Sequence, residues 1–494
     1  MSTPVVSPHA DAPAIGDTRL LIDGERVDAA EGATFDIYNP STGAVLAQVA
    51  EGRKEDVDRA VKAAKRAFES GPWHDMKPTE RAKVIWRLGD LLLENAAELG
   101  GLETLDNGKP FLQARDGDVS AAAGLFHYMS GWATKIEGST IPISFPGTFH
   151  TYTRREALGV VGLIVPWNFP LTIAAWKCAP ALAAGNTIVL KPAEVTPLTA
   201  LRLGELALEA GIPPGVLNVV PGFGAEAGVA LTEHPDVAKV SFTGSTATGR
   251  AIVRGATSNL KKVTLELGGK APNIIMADAD IEAAIQGSSD GVFYNQGEAC
   301  AAASRLFAHR SVYDEVVEGI SEAANAIKVG DGFDPDSFIG PLVSKEHHQK
   351  VAGYLDLGRE QGTVAAGGTY ETEGGYFVKP TVLTDLGDES KVVQEEIFGP
   401  VVNVLPFDDT DEVIRRANAT PYGLTAGVWT ENIGTAHRMA EALQAGTVWV
   451  NCYGVFDAAM PYGGFKESGW GREMGGVVLD DYTETKTVCI RIGD

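Results

Sequence analysis

With 494 residues the chain is long enough for about three domains' worth of core, and 44% apolar against 21% charged residues is the balance of a folded globular protein. A formal charge of -24, with no cluster of Lys and Arg to reverse it locally, argues against nucleic acid or an anionic membrane surface as partner. Cys178, Cys300, Cys452 and Cys489 lie far apart without a C-x-x-C pattern, which excludes a disulfide scaffold and fits a reducing cytoplasm.

Residues 1–17 are rich in Pro, Ala and Ser, lack a basic start and a sustained apolar stretch, and read as a loose leader, not a secretion signal. Leu20-Leu21-Ile22, Asp23-Gly24 and Glu25-Arg26-Val27 form a hairpin signal, followed by helical periodicity over 57–69 and 78–99. These helices are expected to cover a sheet. Residues 135–155 alternate around a Pro146-Gly147 turn and fit no sheet. Beyond them, short aliphatic runs at 160–165, 187–190, 216–220, 240–242 and 263–267 alternate with helical stretches, the pattern of a parallel sheet covered on both faces. The segment 159–185 is apolar enough to suggest a membrane span, but Pro166, Asn168, Pro170, Lys177 and Pro180 make a buried strand, a turn and a buried helix the better reading. A second alternating series at 273–276, 306–308, 401–405, 427–429 and 447–450 predicts a second α/β domain. The tail 485–492 is a lone β-rich segment; edges of this kind and of 135–155 need partners, which suggests pairing between subunits.

Three stretches carry candidate chemistry. Asn295-Gln296-Gly297-Glu298-Ala299-Cys300-Ala301-Ala302-Ala303-Ser304 places one cysteine among small residues that leave its sulfur approachable, although a lone cysteine is more often an inert core residue. In Leu265-Glu266-Leu267-Gly268-Gly269-Lys270 a carboxylate ends an apolar strand. Desolvation there would raise its pKa and suit it to general-base work, the alternative being an edge glutamate paired with Lys270 or with solvent. Its place at the carboxyl end of a parallel strand favours the first, because open α/β sheets bind ligands there. In Val165-Pro166-Trp167-Asn168-Phe169-Pro170 an amide follows another strand end, placed either to donate to a developing oxyanion or to cap the next helix. Two weaker signals follow strand ends. Phe242-Thr243-Gly244-Ser245-Thr246-Ala247-Thr248-Gly249 would turn helix amides towards a pyrophosphate but is not G-x-G-x-x-G, and Leu190-Lys191-Pro192-Ala193-Glu194 offers Lys and Glu to sugar hydroxyls.

In this order and spacing the motifs resemble those of the aldehyde dehydrogenase superfamily, over nearly the whole chain from about Leu20 to Ile492. Residues 105–110, 395–400, 461–469 and 482–487 also fall where that family has its motifs. The resemblance implies an α/β fold with two doubly wound open-sheet domains, a Rossmann-like cofactor domain (1–134 and 155–265) and a catalytic domain (266–477), plus a small β bridging and oligomerisation element (135–154 and 478–494). It implies NAD-dependent oxidation of an aldehyde to the acid, with Cys300 as nucleophile, Glu266 as base, and Asn168 with the Cys300 amide as oxyanion hole. Some members pass the acyl group to coenzyme A and lack this glutamate, so its presence favours hydrolysis.

For NAD the resemblance implies Lys191 and Glu194 at the adenosine ribose, Gly244 and Ser245 at the pyrophosphate, and Glu396 and Phe398 at the nicotinamide ribose. Ile164, Pro166, Trp167, Gly224, Gly249 and Gly268 complete the cleft. A ribose-facing Glu194 would repel a 2′-phosphate and favour NAD over NADP. Phe169, Ile173, Trp176, Tyr294, Ala299, Ala301, Phe456 and Tyr462 resemble the family's substrate channel; each aromatic taken singly reads equally well as core packing. The segment 451–457 is similar to that of enzymes acting on aryl and aliphatic aldehydes, which points to an apolar substrate of the phenylacetaldehyde kind. A cytoplasmic homodimer or homotetramer with no metal is expected. Two rival readings are a cysteine-dependent esterase without a redox step and a non-enzymatic structural protein on the same scaffold.

Overall fold

The computed structural model describes residues 12–493, so most of the leader expected over residues 1–17 lies outside the described residues. Two open sheets dominate. In spatial order the eight-stranded sheet runs Gly469–Trp470, Lys262–Glu266, Val237–Thr243, Val160–Ile164, Thr187–Lys191, Leu217–Val219, Leu20–Ile22 and Glu25–Val27. Its five central strands are parallel. Val160–Ile164 and Thr187–Lys191 are buried throughout, which is why they read as unbroken aliphatic runs and not as alternating ones. The chain proceeds outward from Val160–Ile164 in one direction, then returns to its other side with Val237–Thr243. The carboxyl ends of these two strands therefore flank a topological switch point, where such sheets open a crevice for ligands.

The expected hairpin at the edge is present, with Leu20 opposite Val27 and both turn residues, Asp23 and Gly24, at positive φ. The helix expected over 78–99 is two helices, Pro78–Glu94 and Ala96–Asn107, because Asn95 leaves helical geometry and turns its amide back onto the Leu91 carbonyl at 2.8 Å. The apolar segment 159–185 is a buried strand followed by helix Pro170–Ala184, with proline in its first turn and Gly185 at φ 90° after its end. No helix among the described residues is long and apolar enough to cross a membrane. A two-stranded sheet, Thr34–Tyr38 with Val45–Ala50, was not expected.

The seven-stranded sheet runs Thr363–Ala366, Thr381–Thr384, Val401–Phe407, Arg305–His309, Pro272–Ile275, Thr425–Trp429 and Thr447–Val450, parallel except for its first edge strand. Gly469–Trp470, inside the stretch 266–477 expected to be one domain, returns to the eight-stranded sheet and pairs antiparallel with Leu265 and Glu266. The two unpaired β segments find each other: Thr148–Ala157 pairs antiparallel with Thr483–Gly493. Phe145 and Ile492 remain 70% and 65% exposed at this two-stranded sheet.

Candidate active site

Cys300 lies between helix Ile281–Phe293 and strand Arg305–His309. The approach to it is sharply bent, with Asn295, Gln296 and Gly297 at φ 50°, 57° and 70°. Left-handed non-glycine residues cost energy and persist only where their surroundings hold them. Here Asn295 is buried and its Nδ2 donates to the carbonyls of Asn168 (3.0 Å) and Glu298 (3.2 Å). A Cβ on Gly297 would meet the Gly399 carbonyl oxygen at 2.2 Å, so glycine is what lets the two loops touch. Burial pushes the Cys300 thiol above its ordinary range; a hydrogen bond with Tyr462, whose Oη lies 3.4 Å from the sulfur, works against this, while Glu266 and Glu396 add to it.

Glu266 is the last residue of its strand, 5% exposed, and neither carboxyl oxygen has a hydrogen-bond partner among the described residues. Lys270 donates instead to the Val392 carbonyl at 2.9 Å, so the edge ion pair weighed on sequence does not form. Burial, and then the nearby Glu473 carboxylate, holds the Glu266 carboxyl well above its ordinary pKa, partly offset by Lys177 and Arg472. Lys177 and Glu473 form a fully buried ion pair, and Ser241 Oγ is 3.0 Å from Lys177 Nζ. Two glycines follow Glu266. A Cβ on Gly269 would meet the Cys300 carbonyl oxygen at 2.4 Å and one on Gly268 would meet Glu396 Oε2 at 2.4 Å. The strand-end loop, the Cys300 loop and the Glu396 segment are thus in direct contact.

Asn168 is 3% exposed in the loop after Val160–Ile164, and its Nδ2 donates to the Glu298 carbonyl at 2.9 Å. An amide nitrogen carries two hydrogens, so one remains to be donated. The motif at 105–110 holds this loop. Asn107 Nδ2 donates to the Trp167 carbonyl at 2.8 Å, and the fully buried Lys109 donates to the Asn168 carbonyl at 3.2 Å while pairing with Glu103 (2.8 Å) and Asp118.

Several of the expected cofactor residues lie on the strand ends and loops at the switch point. Ile164 ends one flanking strand, with Pro166 and Trp167 half-buried in the loop beyond it; the other, Val237–Thr243, leads into Gly244 and Ser245. Ser245 caps helix Thr246–Ala256 by accepting from the Thr248 amide at 3.2 Å. A Cβ on Gly249 would meet Leu267 at 2.8 Å, so glycine lets that helix sit against the loop after Glu266. Lys191 is buried, 3.5 Å from Glu194, whose own side chain is 41% exposed. Beside Glu194 lies a cavity of about 1030 Å3, lined among others by Phe35, Val195, Phe223, His348 and Tyr376 but not by Cys300 or Glu266. Gly224 is exposed on the turn after Phe223. Glu396 Oε1 accepts from the Gly269 amide at 2.9 Å, and Phe398, at φ 63°, offers its carbonyl to His347 Nε2 at 2.6 Å.

The expected channel residues fall into two aromatic groups. Tyr462, Trp176 and Phe456 lie within 5.3 to 6.2 Å of one another by ring centroids, with Tyr462 against the thiol. Phe169 stacks on Tyr294 at 6.4 Å, under the Lys109 ammonium at 4.2 Å. Ile173 is buried in the core of the eight-stranded sheet, which Phe169 and Trp176 pack against. Ala299 and Ala301 flank the thiol half-buried, and Tyr453 Oη donates to the Ala301 carbonyl at 2.8 Å.

Sequence reasoning passed over Lys177, Glu473, Lys109, Glu298 and His347. A buried charge in an apolar helix was the one available signal for Lys177; the others become visible only when distant segments meet.

The aldehyde dehydrogenase family model matches residues 27–488, nearly the whole chain, and the chain belongs to that family. It is 52% identical over 480 residues, 97% of each chain, to the putative aldehyde dehydrogenase DhaS of Bacillus subtilis. It is 48% identical to the human mitochondrial aldehyde dehydrogenase, over 99% of this chain and 95% of that one. Among solved structures, the NAD+ complex of an aldehyde dehydrogenase from Bacillus cereus is similar with a TM-score of 0.95 at 54% identity, covering 97% of each chain.

Proposed function

We propose that this enzyme oxidises an apolar aliphatic or aryl aldehyde to its carboxylic acid with NAD, through a thioester on Cys300 that Glu266 helps to hydrolyse. The observation that carries this reading is the contact of three loops: the nucleophile loop touches both the loop that follows the unpartnered Glu266 and, through the Glu298 carbonyl, the Asn168 amide.

The residues fit the dinucleotide. Ser245 takes up the Thr248 amide, leaving the opening amides of the helix free to face a phosphate. Glu194 presents a half-exposed carboxylate that can accept from both ribose hydroxyls, with Lys191 beside it, and the cavity outside Glu194 gives the adenosine end room. At the other end Glu396 is fixed by the Gly269 amide next to Cys300.

The Cys300 thiolate adds to the aldehyde carbon, and the carbonyl pair moves onto oxygen, where the free N–H of Asn168 and the Cys300 amide stabilise it. NAD, when bound, supplies the acceptor for the hydride that this carbon gives up. The oxyanion then re-forms its carbonyl and Cys300 carries a thioester. Glu266 takes a proton from water, the water oxygen attacks the thioester carbon, and the carbon–sulfur bond breaks to return the thiolate. The aromatic cluster of Trp176, Phe456 and Tyr462 beside the thiol favours an apolar acyl group. A reducing compartment is supported by four cysteines that are all free. Assembly of two or four subunits is supported by the exposed apolar residues at the Thr148–Ala157 and Thr483–Gly493 sheet.

The test is an NADH-absorbance screen over aliphatic, aryl, amino- and semialdehydes. NADH formation with aryl or aliphatic aldehydes is expected. Ester cleavage without NADH formation from any aldehyde would favour the esterase reading instead.

A further inference from the structure

A half-buried sulfur anion needs compensation. Glu266, at the end of its strand, and Glu396, ahead of strand Val401–Phe407, both oppose ionisation of the Cys300 thiol, and Tyr453 also lies close to it. The hydroxyl of Tyr462, 3.4 Å from the sulfur, and Cys300's own amide favour the anion. The placing of that hydroxyl is not casual. Tyr462 is 3% exposed, its backbone exchanges two 2.8 Å hydrogen bonds with Glu473, and its ring is wedged by Trp176 and Phe456 at 5.3 and 5.4 Å. A buried phenol needs a polar partner, and the sulfur is the one this hydroxyl meets. A thiolate has no proton to give, so whenever the sulfur is ionised the phenol must be the donor.

We propose that Tyr462 is a catalytic residue and not only a wall of the channel: its hydroxyl donates a hydrogen bond to the Cys300 thiolate, stabilising the anion that attacks substrate and the anion expelled when the acid leaves. The proposal rests on Cys300 being the nucleophile. The bond is strongest while charge sits on sulfur and weakens once that charge has passed to the substrate oxygen. Removing it therefore raises the thiol's pKa while making each thiolate formed slightly more nucleophilic.

The experiment is the pH dependence of iodoacetamide alkylation, in which the thiolate forms a sulfur–carbon bond as iodide leaves. Modification is read on the Cys300 peptide by mass spectrometry, because Cys489 is exposed and Cys452 partly so. Tyr462→Phe keeps the ring and loses the oxygen. Its inflection should rise by about one unit. Alkylation should then be roughly three- to fourfold slower below the inflection and equal or faster above it. An inflection unmoved or lowered would overturn the proposal, and a change confined to the KM for aldehyde would reduce Tyr462 to a channel wall. Should that variant not fold, enzyme made with fluorotyrosine, a more acidic phenol and stronger donor, decides the matter: the inflection should fall, and an unmoved one overturns the proposal. Loss of the underlying reading has a separate signature, since a Cys300→Ala enzyme that still oxidises aldehyde would discard the nucleophile without altering the alkylation result.

Discussion

The side-chain amide of Asn168 donates to the carbonyl of Glu298 at 2.9 Å, fastening the loop after strand Val160–Ile164 to the loop that carries Cys300 two residues further on. The same side chain is the proposed oxyanion donor, so one residue both supplies the hydrogen bond and sets its distance from the sulfur. Asn168→Ala should lower kcat by roughly a hundredfold or more, with NAD affinity little changed. Steady-state kinetics together with a cofactor titration check this; near-normal kcat would remove Asn168 from the reaction.

Beneath that loop, Lys109 is paired with Glu103 and Asp118 at zero exposure. Burial disfavours the ammonium, but Asp118 and Glu103 outweigh it and hold the lysine above its ordinary pKa. Removing one member of a buried charge group leaves the others uncompensated, at about 3–5 kcal/mol. Lys109→Met should lower thermal stability accordingly and, by freeing the Asn168 carbonyl, reduce kcat in whatever protein remains folded. Calorimetry showing an unchanged Tm would contradict the triad.

Glu266 has a raised carboxyl pKa, burial first and Glu473 second, against an ordinary value of 4.5. Between that pH and the folded-state pKa, the folded chain keeps a proton that the unfolded chain has released. The stability this group contributes is therefore complete below the unfolded value and is lost as pH rises through the folded one. Glu266→Gln has no proton to lose, so its Tm should exceed that of the wild type in alkaline buffer and converge with it in acid. Acid release in the wild type should speed up with pH as the base ionises, whereas the variant should be slow and flat. A wild-type rate independent of pH, or a variant with the wild-type rate, would remove the residue's role as base.

Glu194, half-exposed beside the buried Lys191, should set the choice between dinucleotides. Glu194→Ser withdraws the charge that repels a 2′-phosphate and leaves Lys191 to attract it, so the ratio of kcat/KM for NADP to that for NAD should rise about tenfold or more. An unchanged ratio would show that this carboxylate does not face the ribose.

Glu266 and Cys300 could be proposed from the sequence because local features single them out: a strand-end carboxylate before two glycines, and one sulfur in a run of small residues. Each feature alone fitted an inert residue better, and strand-end position and the family resemblance tipped the choice. The parallel strands were readable because burial on both faces leaves unbroken aliphatic runs. Lys177 and Glu473 were not, since 296 positions separate them and nothing local announces that they pair. Lys109 sat in a polar motif that gave no sign of complete burial. The two residues Gly469–Trp470 are too few to show a period, which is why their return to the first sheet inside the second alternating series went unseen.

The most direct measurement is mass spectrometry of Glu266→Gln enzyme quenched in acid shortly after mixing with NAD and an aryl aldehyde. The account predicts an added acyl mass on the peptide bearing Cys300, with about one NADH formed per adduct. NADH accumulating over many turnovers without any adduct, or an adduct carried by Cys452 instead, would contradict it.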